Sequence, residues 1–161
     1  MSDSRRAPRQ RSRQAALQAL YAADLGDCFG ANPRECIEEI FERVAQNFDL
    51  PAGARDFALE LASGTAAHLA EIDAVLSESA TNWKLSRMAA VDRNVLRIAV
   101  YELTHTETPV SIILDEAIRL AQRFGTESSS AFVNGVLDAV ARVITNSSSR
   151  VEEVETRQEP T

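Results

Sequence analysis

Residues 86–106 read SRMAAVDRNVLRIAVYELTHT. At about 100° of turn per residue, Met88, Val91, Val95, Leu96, Ala99 and Leu103 share one face of a helix that Ser86 can cap. Two acids, Asp92 and Glu102, fall inside that apolar arc. They stand nearly three turns apart, about 15 Å of rise, which is too far for a catalytic pair. Each is expected to make an ionic or hydrogen-bonded tie to another helix, since an unpaired charge in an apolar face is costly.

The same periodicity extends outward in both directions. Upstream, a first helix is expected from near Arg9–Arg13 to about Leu25, with Ala16, Leu17, Leu20 and Tyr21 in one stripe. Asn32-Pro33-Arg34-Glu35 reads as a helix start, and Ile37, Ile40, Phe41, Val44, Ala45 and Phe48 follow at helical spacing until Pro51. A long third helix is predicted from about Gly53 to Ser79, in which Gly64 permits a close helix crossing. Downstream, Pro109 opens a helix to Phe124 with Gly125 as its C′ residue, and Ser128–Ser130 cap a last one burying Phe132, Val133, Val136, Val140, Val143 and Ile144. No Val, Ile or Thr run alternates with polar residues as a strand would. The expected fold is all-α: two packed three-helix bundles, about 9–80 and 83–145, meeting near Trp83 as an anchor. Residues 1–13 form a flexible arm, 14–145 the helical domain and 146–161 a disordered, solvated tail.

Charge singles out the amino-terminal arm. The chain has 161 residues, 45% of them apolar, and a net charge of −7. Residues 1–13 hold Arg5, Arg6, Arg9, Arg11 and Arg13 against Asp3, a local +4, so the remainder carries −11. A basic arm on an acidic body is where a polyanion docks. Arg9 and Arg13 lie on the core side one or two turns before the core begins, so both are expected to project past the bundle into solvent. Arg11, Gln14, Gln18 and Tyr21 form an adjoining edge. It offers cations for phosphates, amides for base edges and a ring for stacking, the requirements of single-stranded RNA recognition. For Tyr21, packing at the border of the core stripe weighs evenly with stacking.

Catalytic and metal chemistry find little support. There is no GxGxxG, no GxxxxGK[ST] and no GxSxG. Cys28 and Cys36 are too far apart for a CxxC site and read as free thiols in a reducing compartment. His68 and His105 alone assemble no zinc constellation, and His68 reads as a core-edge histidine. No signal or membrane segment is evident, because Gln14, Gln18 and Asp24 interrupt the first apolar stretch. A cytoplasmic protein with no cofactor, no metal and no enzymatic activity is expected.

Four stretches resemble the NusB family. They are Gln18-Ala19-Leu20-Tyr21 after the basic start, Trp83–Met88 with Asp92–Leu103, Asp115–Ala121, and Phe132–Asp138. They occur in order over about Arg9–Ile144. The resemblance implies an all-helical transcription antitermination factor that binds boxA RNA together with NusE, a small-subunit ribosomal protein, within the transcription elongation complex. It implies RNA-binding roles for Arg9, Arg11, Arg13, Tyr21 and Phe132. Gln10 departs from the family pattern, which commonly has arginine there, with Arg5 and Arg6 available to compensate. Two other readings compete: the same module at the amino terminus of an RNA cytosine methyltransferase, and a helical adaptor or self-associating homodimer with weak RNA binding. Chain length disfavours the first.

Overall fold

The computed structural model describes the backbone of residues 3–156 and the side chains of residues 6–148; the Arg5 side chain and residues 157–161 lie outside it. Seven α-helices and one short 3-10 turn form the described chain: α1 Asp3–Leu25, α2 Pro33–Asn47, α3 Ala54–Ala67, α4 Leu69–Ser79, the turn Leu85–Arg87, α5 Ala90–His105, α6 Val110–Phe124 and α7 Ser129–Thr156. No strand occurs among the described residues.

Helices α1, α2 and α3 pack as one three-helix group and α5, α6 and α7 as another. Alanines make the first group tight: Ala15, Ala16, Ala19 and Ala23 of α1 are fully buried, so the α1 backbone approaches its neighbours closely. Phe41, Leu20, Ile37 and Leu61 fill that side, and Ile72, Leu76, Leu96, Ile98, Ile113 and Leu137 fill the other. All belong to one continuous core. Each such side chain contributes about 1.5–3 kcal/mol on burial.

The long third helix predicted over 53–79 is two helices, broken at His68, whose backbone turns to φ −108°, ψ 21°. The break serves packing: α3 lies against α1 and α2, whereas α4 turns to meet α5 and α7. Gly64 does permit a close crossing. A methyl there would overlap the Tyr101 ring, coming within 2.6 Å of Cε2. Gly125 departs from the expected left-handed C′ geometry, having φ −90° and ψ −162°. It is small because Ser129 lies against it, 2.6 Å from where a Cβ would sit.

Helix α1 starts at Asp3, more than three turns before its apolar stripe, so the arm is helical where the sequence predicts flexibility. Polar contacts hold this extension, and apolar periodicity cannot register them. The Ser12 hydroxyl lies 2.7 Å from the Ala54 carbonyl, Gln10 Nε2 donates to Glu116 at 3.2 Å, and Arg6 pairs with Glu116 at 3.5 Å. At the other end α7 continues to Thr156, past the last buried residue. Asn146, Ser147 and Ser148 are exposed, and the two serines donate back to the Val143 and Ile144 carbonyls.

Half-buried polar ties join the groups. Asp24 of α1 accepts from Arg93, Asn94 and Arg97 of α5 at 2.8–3.2 Å, and Arg97 also grips Asp73 of α4 through two bonds of 2.9 and 3.0 Å. The loop after α1 turns back at Asp27, where φ is +54°, and brings Cys28 and Cys36 together with Cα atoms 6.2 Å apart, a separation that a disulfide can span. Among the described residues no helix is long and apolar enough to cross a membrane.

Candidate nucleic-acid interface

Helix α1 divides its cations between inside and outside. Arg13, expected to project into solvent, is instead 3% exposed. Its Nε and Nη2 donate to the two Glu102 carboxylate oxygens at 3.0 and 2.7 Å. The correction has a physical cause, because a bidentate pair with a second charge already in the core offsets the desolvation of both. It also identifies the tie expected of Glu102. Asp92 makes none to another helix: it lies buried in the first turn of α5, and its Oδ1 has no hydrogen-bond partner among the described residues. The positive end of that helix is the favourable place for such a charge.

Arg9 and Arg11 remain at the surface on opposite edges of α1. Arg9 is exposed and its guanidinium lies 4.3 Å from the Phe57 ring centre. With Arg6 it lines a cleft of about 810 Å³ bordered by Glu60, the Thr106–Pro109 loop and Ile112. Arg11 is half-buried, 4.9 Å from the Phe48 ring centre, and donates to the Asp49 carbonyl and to Gln14 Oε1 at 3.4 and 3.3 Å. These contacts hold both guanidinium groups against ring faces at the surface, each with water within reach. Gln14 is buried beneath Arg11, whereas Gln18 and Tyr21 are exposed, Tyr21 to 38%. Gln10 faces Glu116.

Phe132 stands on a different element, α7. Half-buried, it meets Trp83 edge to face with ring centres 5.6 Å apart. Trp83 is not the buried anchor expected between the halves: it is 57% exposed, in the turn before α5. The pair therefore presents aromatic surface that sequence reasoning assigned only to Phe132. A tryptophan beside Lys84 and Arg87 in a loop was the available signal.

A second ring cluster lies where α3, α4 and α5 meet. Tyr101 stacks on His105 at 5.0 Å, and His105 lies 4.1 Å from His68. Burial, aided by the Glu60 carboxylate, pushes the Tyr101 hydroxyl pKa above its ordinary value. The two histidines absent from any sequence motif are thus neighbours.

Comparison with known proteins gives a consistent picture. A model described as the NusB family matches residues 10–142. The chain is 45% identical over 134 residues to the transcription antitermination protein NusB of Anaeromyxobacter dehalogenans, covering 83% of this chain and 89% of that one. It is 42% identical over 137 residues to the NusB of Elusimicrobium minutum, covering 83% and 93%. Among solved structures, T. maritima NusB superposes with a TM-score of 0.73 at 36% identity, over 83% of this chain and 90% of that one. A structure of antitermination factors NusB and NusE in complex with dsRNA superposes with a TM-score of 0.69 at 28% identity, covering 84% and 97%.

Proposed function

This chain belongs to the NusB family, and from that premise we propose that it is a transcription antitermination factor. It binds single-stranded boxA RNA together with NusE, as part of the elongation complex in the cytoplasm, and catalyses no reaction. The observation that carries the RNA reading is the outer edge of α1, where Arg11, Gln18 and Tyr21 lie within about 80° of one another and Tyr21 is exposed. Arg9, exposed over Phe57, extends the basic field along the same helix. Phosphates meet Arg9 and Arg11, and bases meet Gln18 and the Tyr21 and Phe132 rings. Arg13 and Gln14 act from beneath, Arg13 by locking α1 to α5 and Gln14 by orienting Arg11.

An acidic body with one short basic edge is a weak anchor, so NusE, a basic ribosomal protein, raises RNA affinity by enlarging the surface. Linkage then requires RNA to tighten the protein pair by the same factor. The test is calorimetry with single-stranded boxA, a scrambled strand and a duplex, each with and without NusE. Preference for single-stranded boxA with mutual tightening supports the proposal. Independent binding of RNA and NusE would sink the coupling, and no RNA binding in either state would favour a protein adaptor.

A further inference from the structure

His68 closes α3, Glu71 lies in the first turn of α4, and His105 ends α5. One potential ligand atom from each of the three lies within 4.8 Å of the other two. Two histidines alone make no zinc constellation, but the bend at His68 supplies a carboxylate as the third donor.

The hydrogen bonds around the rings decide which nitrogens are free. His68 Nδ1 is 2.9 Å from the Gly64 carbonyl, which can only accept, so Nδ1 carries the proton and Nε2 keeps its lone pair. His105 Nδ1 is 2.7 Å from the Thr104 hydroxyl oxygen. That hydroxyl already donates its single hydrogen to the Val100 carbonyl at 2.8 Å. It therefore accepts from His105, whose Nε2 is likewise left free. Both rings are held as metal-binding histidines are, with one nitrogen tied to an oxygen and the other free. Tyr101, stacked on His105 with planes 10° apart, restrains that ring further.

We infer that His68, Glu71 and His105 form a binding site for a late first-row divalent ion, zinc foremost, with a fourth position for water. Two imidazoles and one carboxylate suit zinc, cobalt or nickel and not magnesium. In a tetrahedral zinc site with bonds of about 2.0–2.1 Å, donor atoms stand about 3.3 Å apart. Since no two donors are more than 4.8 Å apart, closing to that spacing takes at most about 1.5 Å. Glu71 is exposed and held by no ring, so rotation of its side chain supplies most of it. The bound ion would clamp the α3–α4 bend to the end of α5.

The test uses the full chain without a histidine tag, oxidised so that Cys28 and Cys36 offer no thiolates, and stripped by chelator. Zinc chloride, cobalt chloride and magnesium chloride are titrated by calorimetry, and the cobalt spectrum is recorded. One zinc per chain, a four-coordinate cobalt spectrum and no magnesium binding are expected. Glu71→Gln and His105→Gln should weaken zinc by more than the roughly 10–100-fold that loss of an outer-shell partner costs, with circular dichroism unchanged. His68→Gln should do the same, but it stands at the bend, so the two exposed variants decide. Absence of zinc binding overturns the inference, leaving a stack of rings. Binding that survives both exposed substitutions overturns it too, by placing the ion elsewhere.

Discussion

Arg13 and Glu102, 89 residues apart, form a bidentate ion pair with both side chains almost fully buried. It couples the basic start of α1 to α5, and so fixes the angle at which the outer edge of α1 leaves the body. Removing Arg13 leaves Glu102 buried without its counter-charge. Arg13→Ala should therefore cost about 3–5 kcal/mol of stability, read by urea unfolding. Arg13→Met with Glu102→Leu should recover much of it, since a well-packed apolar pair often replaces a buried ion pair without loss. A cost below about 1 kcal/mol, the range of exposed pairs, would show that the pair is solvated.

Gly64 gives a second stability prediction. Its missing side chain makes room for the Tyr101 ring, and overpacking a filled interior costs about 1–3 kcal/mol. Gly64→Ala should destabilise by that amount, although alanine is the better helix former. Combining it with Tyr101→Leu should cost less than the two single changes added, because the smaller side chain removes the clash. Additive effects would mean that the methyl meets something else.

The contrast between these ties and the exposed edge of α1 shows what the sequence made legible. Apolar periodicity placed Leu20, Ile37, Phe41, Leu96, Val133 and Val140 in the core, because burial of whole side chains repeats at helical spacing. It announced Glu102 as a tie, since a charge inside an apolar arc demands a partner. It could not supply that partner. Arg13 lies in a polar stretch, and nothing local distinguishes an arginine that reaches a buried acid from one that reaches water. The break at His68 was hidden for a related reason: the apolar pattern runs through it, and only the change of packing partners breaks the helix. His68 and His105 meet through tertiary packing alone, as do the Cys28 and Cys36 sulfurs. Trp83 was misplaced because size and apolarity argue for burial, whereas its turn leaves it on the surface.

Arg9 and Arg11 test the electrostatic part of RNA binding apart from stability. Each rests on an aromatic ring, an interaction worth about 0.5–1 kcal/mol at exposed sites, so alanine at either position should leave the fold intact. Each substitution should weaken boxA and scrambled RNA alike. It should also flatten the dependence of log affinity on log salt by about 0.7 for each phosphate no longer neutralised. Arg13→Ala, corrected for its folded fraction, should leave that slope unchanged. An equal flattening by Arg13→Ala would mean that the ion pair opens to RNA.

Tyr21 separates stacking from charge, and its exposure makes the experiment cleaner than its place in the apolar stripe suggests. Tyr21→Phe keeps the ring and should scarcely change affinity if stacking is what matters. Tyr21→Leu keeps apolar bulk but removes the π-face, and should cost about 1–3 kcal/mol of RNA binding. The salt slope should not move, because every cation is retained. Stability should hold within about 0.5 kcal/mol, as for other surface changes, and must be measured alongside, since partial unfolding would imitate weakened binding. If Tyr21→Leu binds RNA normally while folded, the stacking surface lies elsewhere, and the Trp83–Phe132 pair becomes the next to test. There Phe132→Leu and Trp83→Leu distinguish the rings: Trp83 is the more exposed, so a binding defect confined to Trp83→Leu would make it the platform and Phe132 its support.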